Sequence, residues 1–184
     1  MTGFPTLYTK RLRLRELTKS DAPALLAIHG DADAMKWFGT DPMTHIEQAE
    51  QLVEVFNSWR AAANPGIRWG MEELTRGQLI GTCGFFKWNR SWRSCSIGFE
   101  LAQAAQCNGF MREALVSCID WGITHMELNR IEALVHPENT RSLHLLERTG
   151  FVREGVLRKA GYWGHAYHDL VQHSLLREDA VYLS

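Results

Sequence analysis

The stretch that most constrains this chain runs from Ile97 to Leu115: an alternating segment, a short polar turn carrying a glycine, and a helical segment. In the first part Ile97, Phe99 and Leu101 point one way and Gly98 and Glu100 the other, the period of a strand. Beyond Gly109, apolar Phe110, Met111, Ala114, Leu115, Cys118, Ile119 and Ile123 recur at helical spacing. A strand fed into a helix through such a turn leaves the helix's first backbone N–H groups without partners. Those donors, with the positive end of the helix dipole, suit a phosphate. Ordinary α/β connections share this join, so on its own it leaves an anion site and a plain turn both open.

The rest of the chain supplies alternating partners for that unit. Thr9–Leu17 sets Arg11, Arg13 and Arg15 against Leu12, Leu14 and Leu17, which reads as a strand with one buried and one solvated face. Thr18–Asp21 offers a helix start, and Ala22–His29 runs helically until Gly30. Asp31–Pro42 reads as an irregular loop whose Met35, Trp37 and Phe38 either line a substrate cleft or cover the core. Thr44 begins the next helix with Glu47 as its capping-box partner. Strands follow at Arg68–Glu73, Gln78–Lys87 and Ser94–Leu101. After a helix from Gly109 to about Met126 come a strand at Arg130–Val135, a helix capped by Asn139 and closed by Gly150, and strands at Val152–Lys159 and Ala166–Leu176. The order predicts one mixed α/β domain over residues 1–184.

Bulk properties narrow the function. The 184 residues carry a formal net charge of −1, which speaks against a nucleic-acid binder working through a broad basic field. No apolar run approaches the roughly 18–20 residues that span a bilayer, and the start lacks a secretory pattern. Cys83, Cys95, Cys107 and Cys118 form no Cys-x-x-Cys pair and are expected to be free thiols of a reducing cytoplasm. His165, His168, Asp169 and His173 invite a metal reading, but His165 and His168 face opposite sides of a strand, so no metal is expected. Asp169 is expected to hold the last hairpin instead.

Gln106-Cys107-Asn108-Gly109-Phe110-Met111 resembles the Gln/Arg-x-x-Gly-x-Gly/Ala pyrophosphate loop of the GNAT superfamily of acyl-CoA N-acyltransferases. The longer run from Ile97 to Leu115 is similar to the branch that acetylates the N-termini of ribosomal proteins. Asn139-Thr140-Arg141-Ser142 with the later Gly150-Phe151 and Glu154-Gly155 matches that branch's second phrase. Two departures stand out. Met111 occupies a Gly/Ala position, and Cys107 stands where the branch usually has glycine, so Cys107 is expected to keep negative φ. The resemblance implies a central mixed, mostly antiparallel sheet of about seven strands flanked by helices and splayed between the fourth and fifth.

It also implies acetyl-CoA as acyl-donor substrate. Its pyrophosphate would lie on Gln106, Cys107, Asn108, Gly109, Phe110, Met111 and Arg112, and its pantetheine arm along Phe99 and Leu101, with Asn139 opposite. A backbone N–H near Phe99 or Glu100 would serve the oxyanion. Ser142 would protonate the thiolate, or else be a first-turn serine bonded to its own backbone. Glu100 is the candidate base, or else a salt-bridged strand carboxylate. The final turn, Ala160-Gly161-Tyr162-Trp163, offers no carboxylate where some members of the branch have one. The acceptor implied is a protein or peptide N-terminus such as that of a ribosomal protein. A small-molecule amine and a non-catalytic acyl-CoA-binding module are the alternatives. Monomer and homodimer both remain open.

Overall fold

In the computed structural model, which describes residues 3–182, eight strands form one sheet. They are β1 (Leu7–Tyr8), β2 (Leu12–Arg15), β3 (Ile67–Glu73), β4 (Gln78–Asn89), β5 (Ser94–Leu101), β6 (Arg130–Val135), β7 (Val152–Trp163) and β8 (Ala166–Leu176). Their spatial order is β1-β2-β3-β4-β5-β6-β8-β7. All neighbours are antiparallel except β5 and β6, which are parallel, as a strand–helix–strand crossover requires. The helices are α1 (Ala22–His29), α2 (Ala32–Met35), α3 (Ile46–Ser58), α4 (Phe110–His125) and α5 (Thr140–Arg148).

The hydrophobic pattern explains the layering. Leu115, Cys118 and Ile119 of α4 share a core with Cys83, Phe85, Ile97 and Ile131 of the sheet. A second, smaller core sits under α1 and α3, where Leu25, Val53 and Phe56 meet Leu17 and Leu79. The alternating arginines before it are paired: Arg13 reaches Glu72 at 2.8 Å, while Arg15 bonds Asp21 at 2.8 Å and Glu72 at 2.6 Å. Helix α5 ends as its glycine predicts. Gly150 takes φ +80°, its N–H bonds Glu147 O, and buried Phe151 bonds back to Leu146 O.

Four local expectations change. The eighth strand is the two-residue β1, too short to show a period. Residues 32–35 of the supposed irregular loop form α2, capped by Asp31 Oδ1 at 3.0 Å from Asp33 N. The capping partner of α3 is Gln48, whose Oε1 accepts from Thr44 N and His45 N at 2.8 and 3.0 Å; the helix therefore starts one residue later than a Thr44–Glu47 box would set it. Strand β7 continues to Trp163 because register shifts along it absorb the irregular stretch, with Asp169 Oδ1 accepting from Lys159 N at 2.8 Å. Asp169 thus holds the last hairpin, as expected.

Candidate active site

The parallel pair is brief. Ser94–Ser96 of β5 lie opposite Arg130–Glu132 of β6, and beyond them the strands diverge while each keeps its outer antiparallel neighbour. A gap opens in the middle of the sheet. Its β5 wall can be read from the ladder: Ala102 N–H bonds Ile80 O on the β4 side, so by strand alternation Gly98 and Glu100 also point their N–H groups at β4. Phe99 and Leu101 point theirs into the gap.

The gap leads to the turn before α4. Gln103–Ala105 make one 3₁₀ turn, and Gly109, at φ +78°, is the N-cap residue of α4. The first intrahelical bond is Glu113 N–H to Gly109 O at 3.1 Å, so the N–H groups of Phe110, Met111 and Arg112 precede the ladder. Cys107 corrects an expectation: it takes φ +63°, not a negative value. The turn demands the left-handed conformation there, and the cysteine adopts it at a cost that glycine would avoid. The Met111 side chain is buried in the α4 core, which leaves its backbone as the part that faces the turn.

This turn is fastened from beneath. Arg11 donates from Nη1 to Asn108 O at 2.9 Å and from Nε to Glu113 Oε2 at 2.7 Å, and its guanidinium lies 4.4 Å over the Phe110 ring. Thr9 Oγ1 donates to Glu113 Oε1 at 2.5 Å. Burial would raise the Glu113 pKa, but the bonds from Thr9 and Arg11 outweigh it and hold it below the usual carboxylate range. Its charge at the helix start is thereby matched by Arg11, which leaves the N-terminus fit for an anion. Gln106 spans the mouth of the gap, with Nε2 donating to Leu101 O at 3.2 Å and Oε1 accepting from Arg141 Nη1 of α5 at 2.6 Å. In the sequence Arg11 is one of three alternating arginines, and nothing local marks it as a support for a turn about a hundred residues away.

Asn139 and Ser142 arrive on the far wall, just after β6. Asn139 caps α5 through Oδ1, which accepts from Ser142 N at 3.1 Å. That bond uses the Ser142 backbone and not its hydroxyl, and it leaves the Asn139 amide NH₂ uncommitted to the cap.

Glu100 lies on the opposite face of the sheet, 8% exposed, in a buried polar cluster. Its Oε2 accepts from Arg68 of β3 and its Oε1 from Thr82 of β4, and Arg68 Nε also donates to Thr82 Oγ1 at 2.6 Å. Gly98 makes room, since a Cβ there would lie 3.0 Å from Arg68 Nη1. Burial would raise the Glu100 pKa; the Arg68 charge, with help from His29 and Thr82, reverses this and holds the carboxylate ionised. His29, at the end of α1 and 1% exposed, places Nε2 at 3.3 Å from Glu100 Oε1.

Above this cluster the loop after α2 crosses the gap. Phe38 packs edge-on against His29, with ring centroids 5.3 Å apart, and Trp37 stacks on His136, just beyond β6, at 4.0 Å. The tip of the β7–β8 hairpin holds the loop down: Trp163 Nε1 donates to Lys36 O at 3.2 Å and Gly164 N to Asp41 Oδ1 at 3.3 Å. His168 stacks on Trp163 at 3.9 Å. Burial first, and then the neighbouring His168, push the His136 pKa below the imidazole norm. Of the three residues singled out in this loop, Met35 is buried, while Trp37 and Phe38 pack on His136 and His29 at the gap that the resemblance places between β5 and β6. No group of three or more His, Cys, Asp or Glu among the described residues is placed to hold a metal ion.

The acetyltransferase (GNAT) domain family matches residues 11–152. An uncharacterized N-acetyltransferase of Bacillus subtilis, YoaA, is 34% identical over 174 residues, covering 95% of this chain and 98% of its own. The [ribosomal protein uS5]-alanine N-acetyltransferase of Escherichia coli is 34% identical over 90 residues, 48% of this chain and 46% of that one. Among solved structures, spermidine N-acetyltransferase from Vibrio cholerae in complex with CoA and spermine superposes with a TM-score of 0.80 at 25% identity, covering 95% of this chain and 99% of that one.

Proposed function

The chain belongs to the GNAT acetyltransferase family and uses acetyl-CoA as donor, and on that premise we propose that its acceptor is the α-amino group of a protein or peptide N-terminus. Acetyl-CoA supplies an acyl group already activated as a thioester, so the chain's residues have to bind, orient and move protons. The observation that carries the donor half is the meeting of two sets of free backbone N–H groups, Phe99 and Leu101 along the gap and Phe110–Arg112 at its mouth. Gln106, Cys107, Asn108 and Gly109 form the turn between them, and Asn139 offers its amide from the far wall. Phe99 N–H, which faces the gap, is the oxyanion donor; Glu100 N–H faces β4. Ser142 delivers the proton to the departing thiolate.

The acceptor half rests on charge. A lysine amine has a pKa near 10.4 and an α-amine one of about 7.7–8.0, so at pH 7 roughly one α-amine in six to ten is neutral against roughly one lysine in 2,500. A lysine-directed site would have to supply on the order of 3.4 kcal/mol more. Here Glu100 is already held by Arg68 and Thr82, and Ala160-Gly161-Tyr162-Trp163, which end β7, hold no carboxylate. A site so equipped suits an amine that is already partly neutral. The Escherichia coli relative that acetylates a ribosomal-protein alanine supports this reading over about half the chain, and a ribosomal subunit is the partner it suggests. Three of the four free cysteines are buried, in keeping with a reducing cytoplasm. Mass mapping of the acetylated product tests the proposal: a mark on peptide N-termini, formed faster as pH rises through 7–8, is expected. A mark only on lysine side chains, or only on a polyamine such as spermidine, defeats it.

A further inference from the structure

A fully buried histidine beside a buried ion pair needs an account that packing does not give. His29 Nε2 is buried, has no well-formed hydrogen bond, and lies 3.3 Å from Glu100 Oε1. Glu100 itself already holds Arg68 on one oxygen and Thr82 on the other. Such a carboxylate is a poor place to put a further proton. It is a good partner for a positively charged ring, because it can orient an imidazole and stabilise the cation that the ring becomes. The position of His29 fits that work. It lies under Phe38, on the face of the sheet carrying Glu100, where the loop passes from the end of β5 to His136 beyond β6.

We propose that His29, paired with Glu100, is the group that receives the acceptor amine's proton, directly or through one water, while Arg68 and Thr82 fix Glu100. This rests on the acetyltransferase reading and refines the role of Glu100 within it. The step balances as follows. The ammonium gives one proton to the imidazole, and the freed nitrogen lone pair attacks the thioester carbon. The new N–C bond forms and the C–S bond breaks, with the sulfur leaving as thiolate. Of the remaining nitrogen protons, one stays on the amide and one replaces the proton that Ser142 gives to the thiolate, and the imidazolium returns its proton to solvent.

The test is steady-state acetylation of a series of primary amines of graded basicity, spanning α-amines of peptides, lysine side chains and a polyamine, by the wild type, His29→Gln and Glu100→Gln. The glutamine amide keeps a donor within reach of Glu100 but takes up no proton. Turnover by His29→Gln should fall about 10²-fold, within the range of one acid–base group. The loss should deepen as the amine becomes more basic, while the CoA-induced melting shift stays at its wild-type value. Where His29→Gln fails to melt cooperatively, His29→Asn is read in its place. Full turnover by the His29 variant, with Glu100→Gln alone impaired, would overturn the proposal and return the proton to Glu100. A loss of equal size for every amine would also overturn it, because a purely structural histidine costs each substrate the same. If the marks fall on lysine or polyamine, the N-terminal reading fails, yet the slope against basicity still decides the role of His29.

Discussion

On the α4 side of the gap, the polar groups without a partner in the fold are backbone N–H groups: those of Phe99, Leu101 and the first turn of α4. On the α1 side the polar groups are side chains: Arg68, Thr82, Glu100 and His29, each from a different element and all at least nine-tenths buried. The backbone wall tolerates changes of residue type. Cys107 can stand at φ +63° and Met111 can turn its side chain into the core, because neither alters where an amide points. The side-chain wall has no such latitude, since removing Arg68, Thr82 or Glu100 leaves a buried charge or polar atom without its partner.

That contrast sets the order of expected effects. The largest is on the side-chain wall. Arg68→Met would strand the Glu100 carboxylate, and a loss of about 3–5 kcal/mol of stability is expected by denaturant unfolding. Adding Glu100→Leu to that variant should restore most of it, because replacing both charges by apolar groups removes the unpaired ion. No recovery in the double variant would mean that the cluster acts through shape and not charge. The next effect is on the backbone wall. CoA at about 100 times its dissociation constant should add roughly 2.7 kcal/mol to the stability of the wild type. Gly109→Val should forfeit most of this gain, not by filling space, since the nearest atom to a Cβ there is Arg11 Nη2 at 3.5 Å, but by moving the turn off φ +78°. An unchanged CoA-induced melting shift would show that the turn is not where the phosphates bind.

The smallest effect concerns the fastening beneath the turn. The folded pKa of Glu113 is depressed, so its pairing with Thr9 and Arg11 contributes above the ordinary glutamate value and is lost as pH falls through the depressed one. Below about pH 4.3 the wild type should therefore lose more stability than Glu113→Gln, by about 0.5–1 kcal/mol given the partial exposure of Arg11. Parallel stability curves for the two proteins down to acid pH would remove Glu113 from the account.

The same contrast explains what could be read from the sequence. Strands Ser94–Leu101 and Arg130–Val135 and helix Ala22–His29 are legible to the residue, because each is a clean period between clear breakers. The backbone wall is legible too, since a strand, a glycine and a helix start are all local signals. The side-chain wall is not. Glu100 could be named, but its partners are chosen by sheet register: Thr82 lies opposite it across β4 and β5, and Arg68 comes from one strand further. In sequence Arg68 is an ordinary charge at the edge of a strand, and His29 an ordinary residue in the last turn of a helix. The left-handed Cys107 was missed for a related reason. Its conformation is dictated by the path from the 3₁₀ turn into α4, and a cysteine carries no mark of it.

The three-residue pairing of β5 with β6 has a consequence for how the molecule breathes. Hydrogen exchange should divide the sheet lengthwise. Amides of Gly98 and Glu100, bonded to β4, belong to the slow population, while those of Phe99 and Leu101, next to them in the chain, have no strand to protect them. A seam of fast exchange thus runs between two slow leaves, β1–β5 and β6–β8. A pantetheine arm lying along it would act for those amides as the missing strand, so ligand binding would be felt as the temporary completion of the sheet.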